Sequence, residues 1–207
     1  MSLWVGARLG YFLPFGNVYA RALPPDRYGY YAFAGVPWRD YAGPGVLMEL
    51  DVGVRLSRNY NVFAFWERGQ LTSGEAEQGV YGGQNGSDTD FWGAGVRATT
   101  DADRIGLVTE LSLGYRRARA TWNDGTELQF TDAIFEGRIA FGAEFRVNEL
   151  FSVSPLLSIG VGSFGEIERV LASGVSYLET RPYDAMDSHA WFTIGVGGHV
   201  DLFGTQR

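Results

Sequence analysis

Few side chains in this sequence can do acid–base or nucleophilic chemistry. His189 and His199 are its two histidines, and there is no cysteine. Asp187, Ser188 and His189 stand in a row as "DSH". A serine nucleophile needs a base within hydrogen-bond reach and a third group orienting that base. Three consecutive residues cannot easily aim at one another, so His189 reads as a loop histidine. Histidines ten residues apart also make a poor metal site. The expectation is no catalytic residue, no metal and no cofactor.

Charged residues at alternate positions are a different resource. In "FEGRIAFGAEFRV", residues 135–147, one set holds Glu136, Arg138, Glu144 and Arg146. The other holds Phe135, Ile139, Phe141, Phe145 and Val147. Their chemistry is ion pairing, and it requires an element that sends successive side chains to opposite faces. A β-strand does this.

The same alternation occurs eight times, over 5–13, 46–56, 60–66, 92–98, 105–115, 135–147, 151–161 and 192–202. Charged residues are 20% of the chain, yet none falls on the apolar face of any of these segments. The connections after the second, fourth and sixth segments are short. Those after the first, third and seventh, residues 14–45, 69–90 and 164–190, are long. A hairpin protrudes around "WNDGT" after the fifth. Short turns on one side and long loops on the other predict an all-β fold, an eight-stranded antiparallel up-and-down barrel. Pro155 lies inside the seventh segment and cannot donate to a ladder, so a bulge or a missing bond is expected there.

Composition bounds the rest. The 207 residues suit one domain spanning 1–207, with no periplasmic domain. Net charge is −7, all 17 basic residues are Arg, and no basic cluster stands out, which argues against nucleic acid. No apolar run approaches the roughly 20 residues of a membrane-spanning helix.

Two barrels fit the alternation. A soluble lipocalin-like barrel turns its apolar face inward around a ligand; a membrane barrel is inverted. Three features favour inversion. Glycines such as Gly53, Gly95, Gly114, Gly142 and Gly160 fall on the polar face, where a narrow lumen needs room for long side chains. Tyr11, Tyr60, Trp66, Trp92, Tyr115, Phe135, Phe151 and Phe192 sit near segment ends on the apolar face, as interfacial girdles do. The apolar face also carries no charge, which lipid tolerates poorly at about 2–4 kcal/mol for Arg or Lys at mid-depth.

With eight segments, alternating loop lengths and the apolar final stretch "WFTIGVGGHVDLF", the whole chain resembles the small bacterial outer-membrane barrels of the OmpA-transmembrane-domain, OmpX and OmpW kind. That resemblance implies a Gram-negative outer membrane, both termini in the periplasm and four outward loops. It implies a lipid bilayer with lipopolysaccharide as partner, and a monomer. Some barrels of this size modify lipid, but the H-x-S motif of a lipid A deacylase is missing.

Inside such a barrel the inward charges nearly balance. Arg8, Arg55, Arg97, Arg116, Arg138 and Arg146 face Glu49, Asp51, Glu67, Glu110, Glu136, Glu144 and Asp201. Unpaired buried charge is costly, so ion-pair ladders are expected. A three-residue Asn123–Asp124–Gly125 loop keeps both polar faces inward. It sets Glu110 opposite Arg138 and Arg116 opposite Asp132. With Phe63, Phe65, Leu156 and Trp191 also inward, a plugged lumen is expected, and His199 is expected to hydrogen-bond structurally near the periplasmic end.

The first long loop gathers Tyr28, Tyr30, Tyr31, Phe33, Trp38 and Tyr41, residue types that concentrate at recognition surfaces. The leading reading is therefore a structural or surface-recognition role through the loops, for a protein or other surface ligand, without enzymatic activity. An OmpW-like conduit for small hydrophobic molecules is the alternative, with Pro155 as the place where the wall could open.

Overall fold

The computed structural model describes residues 2–22, 33–75, 83–101, 105–132, 134–180 and 187–202, with backbone alone at 20–22, 33–34 and 179–180. Eleven strands account for nearly all of it: β1 (Ser2–Ala22), β2 (Phe33–Pro37), β3 (Ala42–Arg55), β4 (Tyr60–Ser73), β5 (Gln84–Thr99), β6 (Ile105–Trp122), β7 (Glu127–Asp132), β8 (Glu136–Arg146), β9 (Phe151–Val170), β10 (Ser176–Thr180) and β11 (Ser188–Asp201). Among the described residues a single 3₁₀ turn, Trp38–Asp40, follows β2.

Eight staves close into a ring. Each of β1, β3, β4, β5 and β6 pairs antiparallel with the next. Both β7 and β8 pair with β6 on one side and β9 on the other, so together they make one stave. Then β9 pairs β11, and β11 closes on β1 through Val5↔Val200 and Tyr11↔Ile194. Closure leaves no free edge in the ring. Two additions lie beyond it: β2 pairs the end of β1, and β10 folds back on the end of β9.

The apolar sets face outward. Leu9 and Leu107 are each 68% exposed, and Val46, Leu111, Leu113, Phe141, Ile194 and Val196 all stay exposed. Inward positions on the same strands are buried, including Arg8, Glu49, Arg97, Glu110 and Glu144. This is the inverted pattern, and it excludes the lipocalin-like arrangement. The inward glycines receive bulky neighbours: a Cβ on Gly53 would lie 2.4 Å from the Trp4 ring, and one on Gly114 2.5 Å from that of Phe91.

The strands run past the apolar belt, and there the pattern reverses. On β6 the outward face reads Ile105, Leu107, Thr109, Leu111, Leu113 and Tyr115, then Arg117, Arg119 and Thr121. Its inward face reads Glu110, Ser112, Gly114 and Arg116, then Ala118, Ala120 and Trp122. This upper storey is therefore packed like a water-soluble barrel. Its core joins Val18, Trp38, Leu47, Leu71, Trp122, Leu128, Phe130, Phe164, Ile167 and Trp191. Where lipid is outside, polar groups go in; where water is outside, apolar groups do.

The expected connections are shorter than the sequence suggested for the same reason. β1 continues to Ala22, β5 begins at Gln84, and β9 continues to Val170. At the hairpin, Gly125 has φ +85° and its N–H donates to Trp122 O at 3.0 Å, while Trp122 N–H donates to Thr126 O at 2.9 Å. This is the three-residue loop with a left-handed glycine. Its register holds through Arg117↔Thr131. Between β7 and β8 the pairing slips by two, giving Ser112↔Arg138 and Glu110↔Ala140, with Ile134 and Phe135 pushed out and exposed. An even slip keeps every side chain on its face, but the expected Glu110–Arg138 opposition does not occur. At Pro155 the β8–β9 ladder is interrupted between Gly142↔Leu156 and Phe145↔Val153, without a change of register.

Candidate functional site: the charged lumen

Most of the inward charges form one continuous chain of alternating sign. It begins where Arg55 reaches Asp201 at 3.4 Å, and Asp201 is shared with Arg146. Arg146 lies 3.8 Å from Glu144, which takes Arg97 at 2.8 Å. Arg97 meets Glu110 at 2.9 Å. Glu110 then meets Arg8 at 2.9 Å, across the full width of the lumen from β6 to β1. Arg8 continues to Glu49 at 3.3 Å, Glu49 to Arg138 at 2.7 Å, and Arg138 to Glu67 at 2.8 Å. Glu67 meets Arg116 at 3.1 Å, and Arg116 ends on Glu136 at 2.7 Å. Arginine suits this, because its planar fork carries several donors and bridges two carboxylates at once.

Aromatic rings pack the same guanidinium groups. Arg116 lies 4.3 Å from the Phe91 ring centroid and 4.6 Å from that of Trp191; Arg138 lies 4.5 Å from Phe65. Desolvated cation–π contacts of this kind are each worth about 2 kcal/mol. Phe63, Phe65, Leu156 and Trp191 are all buried inside the wall.

Several expectations are corrected. Arg138 contacts Ser112 Oγ at 3.2 Å, Glu67 and Glu49 instead of Glu110, because of the two-residue slip. Arg116 meets Asp132 through its backbone N–H, 2.6 Å from Oδ2, while its guanidinium serves Glu136 and Glu67. Asp51 faces the lumen, yet its Oδ1 has no hydrogen-bond partner. Trp38 and Tyr41 are not surface residues: both are buried, and the Trp38 ring packs tilted against Trp191 with centroids 4.8 Å apart and edge-on to Phe130 and Phe164. The 3₁₀ turn drives that indole into the apolar upper storey, which the reversed polarity creates. Phe33 opens β2 opposite Ala22. Tyr28, Tyr30 and Tyr31 lie outside the described residues.

His189 is likewise not a loop residue. It belongs to β11, is fully buried, and stacks 4.0 Å from Phe164. Its Nε2 lies 3.3 Å from Glu136 Oε2 and 3.7 Å from Asp132 Oδ1. The signal was present in the sequence: His189 shares the odd-numbered parity of inward Trp191 and His199. Its neighbours in "DSH" point elsewhere, with Ser188 exposed and Asp187 accepting from Asn17 Nδ2 at 2.9 Å.

His199 shows why proximity alone makes no relay. Ser152 Oγ lies 2.7 Å from Nε2, but Glu144 Oε1, at 3.6 Å, approaches the same nitrogen. A serine–histidine–carboxylate relay needs the acid on the other ring nitrogen. Ser152 and His199 are both buried, and the Trp4 ring packs 4.9 Å from the imidazole.

No protein-family model matches the chain, and no curated protein sequence does. Solved structures do match in shape. Neisserial surface protein A is 12% identical, with 98% of each chain covered and a TM-score of 0.57. Outer membrane protein AlkL, determined in lipid bilayers, is 14% identical over 100% of this chain and 94% of its own, with a TM-score of 0.54. Outer membrane protein OprG from Pseudomonas aeruginosa is 10% identical over 96% of this chain and 95% of its own, with a TM-score of 0.51. At such identities the likeness concerns the fold. Together with the charge-free outer belt and the closed ring of eight staves, it establishes that this chain has the fold of the small bacterial outer-membrane β-barrels.

Proposed function

We propose that the protein is a closed, non-conducting barrel that presents its outer storey and loops at the surface of a Gram-negative outer membrane. The termini and the short turns face the periplasm, and the extended ends of β1, β6, β7 and β9 face outward. The barrel acts as a monomer, and lipopolysaccharide surrounds its outer half. The lower storey serves as anchor, and the upper storey holds the loops for recognition of a protein or other surface ligand. No catalytic step is part of this reading.

The observation that carries it is the unbroken chain from Arg55 to Glu136, roofed by Trp38 and Trp191. An ion crossing the lumen would have to break at least one desolvated pair, and parting such a pair costs about 3–5 kcal/mol. The hydrophobic-conduit alternative draws on the interrupted ladder at Pro155. The wall is tight there: a Cβ added at Gly142 would lie 2.0 Å from Pro155 O. Planar-bilayer recording tests the proposal. The expected result is no sustained unitary conductance, and a stable porin-sized conductance refutes it. Uptake of a hydrophobic tracer unchanged by Trp191→Arg is also expected; uptake that requires Trp191 would favour the conduit.

A further inference from the structure

The chain of alternating charge leaves one acid over at its outer end. Arg116 serves Glu136 and Glu67, and Glu67 is shared with Arg138. Asp132 therefore has no guanidinium partner of its own. Its Oδ2 accepts the Arg116 backbone N–H, and its Oδ1 accepts no hydrogen bond although the residue is 3% exposed. A buried carboxylate oxygen without a partner is costly.

That orphaned oxygen points into a cluster of donors. Asp132 Oδ1, Glu136 Oε2 and His189 Nε2 all lie within 4.8 Å of one another, and all three residues are buried. Nε2 stands 3.3 Å from the glutamate oxygen and 3.7 Å from the aspartate oxygen. Four ligands placed tetrahedrally about zinc at about 2.1 Å stand roughly 3.4 Å apart. A proton on Nε2 can satisfy one carboxylate and leaves the other unpaired. A divalent cation satisfies both and accepts the imidazole lone pair as well.

We propose that Asp132, Glu136 and His189 form a binding site for a divalent transition metal with the ligand preference of Zn²⁺, one nitrogen and two oxygens, with a fourth position for water. Three strands supply it: Asp132 ends β7, Glu136 begins β8, and His189 lies near the outer end of β11. The slip between β7 and β8 brings the two acids together on one face. Arg116 holds Glu136 through Nε at 2.7 Å and Nη2 at 2.8 Å, so that carboxylate bridges the guanidinium and the metal. The site lies where the charged lower storey meets the apolar upper one, and a bound metal ties the β7–β8 stave to β11.

The test uses the full chain folded in detergent micelles, stripped with a chelator, equilibrated with Zn²⁺ and desalted. Zinc per chain is measured for wild type, Asp132→Asn, His189→Gln and a Glu166→Gln/Glu168→Gln control, with heat-modifiable gel migration reporting folding. The expected result is about one zinc per wild-type chain. Altering a group that merely supports a metal ligand costs about 10–100-fold in affinity, so losing a ligand is expected to weaken retention about 100-fold or more. The control keeps its zinc. Wild type retaining no zinc overturns the proposal, as does retention by both site variants equal to that of wild type, or loss in the control. If neither site variant folds, zinc-edge X-ray absorption on wild type decides: one imidazole in the coordination shell supports the site, and a shell of oxygen alone overturns it.

Discussion

Arg116 grips Glu136 with two parallel hydrogen bonds, Nε to Oε2 at 2.7 Å and Nη2 to Oε1 at 2.8 Å, inside a barrel whose outer wall faces hydrocarbon. The same guanidinium donates to Glu67 Oε1 at 3.1 Å and Thr89 Oγ1 at 3.2 Å. It is the most heavily committed group in the lumen. Removing it leaves two carboxylates with less compensation than they need.

Arg116→Met is accordingly expected to destabilise the barrel by about 3–5 kcal/mol, the cost of breaking a buried pair from one side. Arg116→Met combined with Glu136→Gln should cost less than Arg116→Met alone, since the second change removes an uncompensated charge. Urea titration of the folded fraction in lipid vesicles reads both values.

The outer face gives the opposite sensitivity. Leu111 lies at mid-belt and is 56% exposed. Leu111→Arg is expected to cost about 2–4 kcal/mol in a bilayer, the depth-dependent cost of a cation on the lipid face. Arg117→Leu, two steps beyond Tyr115, should change stability by less than about 0.5 kcal/mol. Equal effects at the two positions would contradict the belt boundary drawn at Tyr115.

Gly53 lies beneath the Trp4 indole, where a Cβ would come within 2.4 Å of the ring. Gly53→Val should cost about 1–3 kcal/mol through overpacking. In a double-mutant cycle with Trp4→Leu the two losses should fall short of additive, because the smaller side chain vacates the contested space. Additive losses would mean that the two residues do not compete for it.

Trp38 covers the mouth by packing its ring, tilted, against Trp191. Trp38→Ala is expected to lower stability by about 3–5 kcal/mol, as for a large buried aromatic. It should also raise the quenching of Trp191 fluorescence by a water-soluble quencher. Conductance should remain absent, because the ion-pair chain below the cap is intact.

The lower storey was legible in the sequence because one medium governs it. Lipid outside demands an unbroken apolar face, so Leu107, Leu111, Leu113 and their equivalents on other staves announce the strands and their orientation. Glycine at 125 marked the hairpin, and proline at 155 marked the interrupted ladder. The upper storey was illegible because polarity reverses near Tyr115. Inward Ala118, Ala120 and Trp122 beside outward Arg117 and Arg119 break the face defined below, and the pattern that marks the strand stops while β6 itself runs on to Trp122. For Trp38 and Tyr41, residue type alone suggests a surface, and residue type carries no information about direction in a loop. His189 is hidden because the apolar alternation that marks β11 begins only at Phe192, three residues after it. The partners of Arg138 depend on a slip of two residues between β7 and β8, and nothing in the alternation distinguishes registers that differ by an even number.

The reversal of polarity along β6 also fixes a length. Ile105 to Tyr115, at about 3.3 Å per residue and a tilt of about 40°, spans roughly 25 Å along the barrel normal. Bacterial outer membranes are thinner than average bilayers. Arg117 and Arg119 cannot be drawn into hydrocarbon cheaply, so the barrel has little tolerance for a thicker host. Phospholipids with short tails should accept it readily, whereas long-tailed ones would have to thin around it.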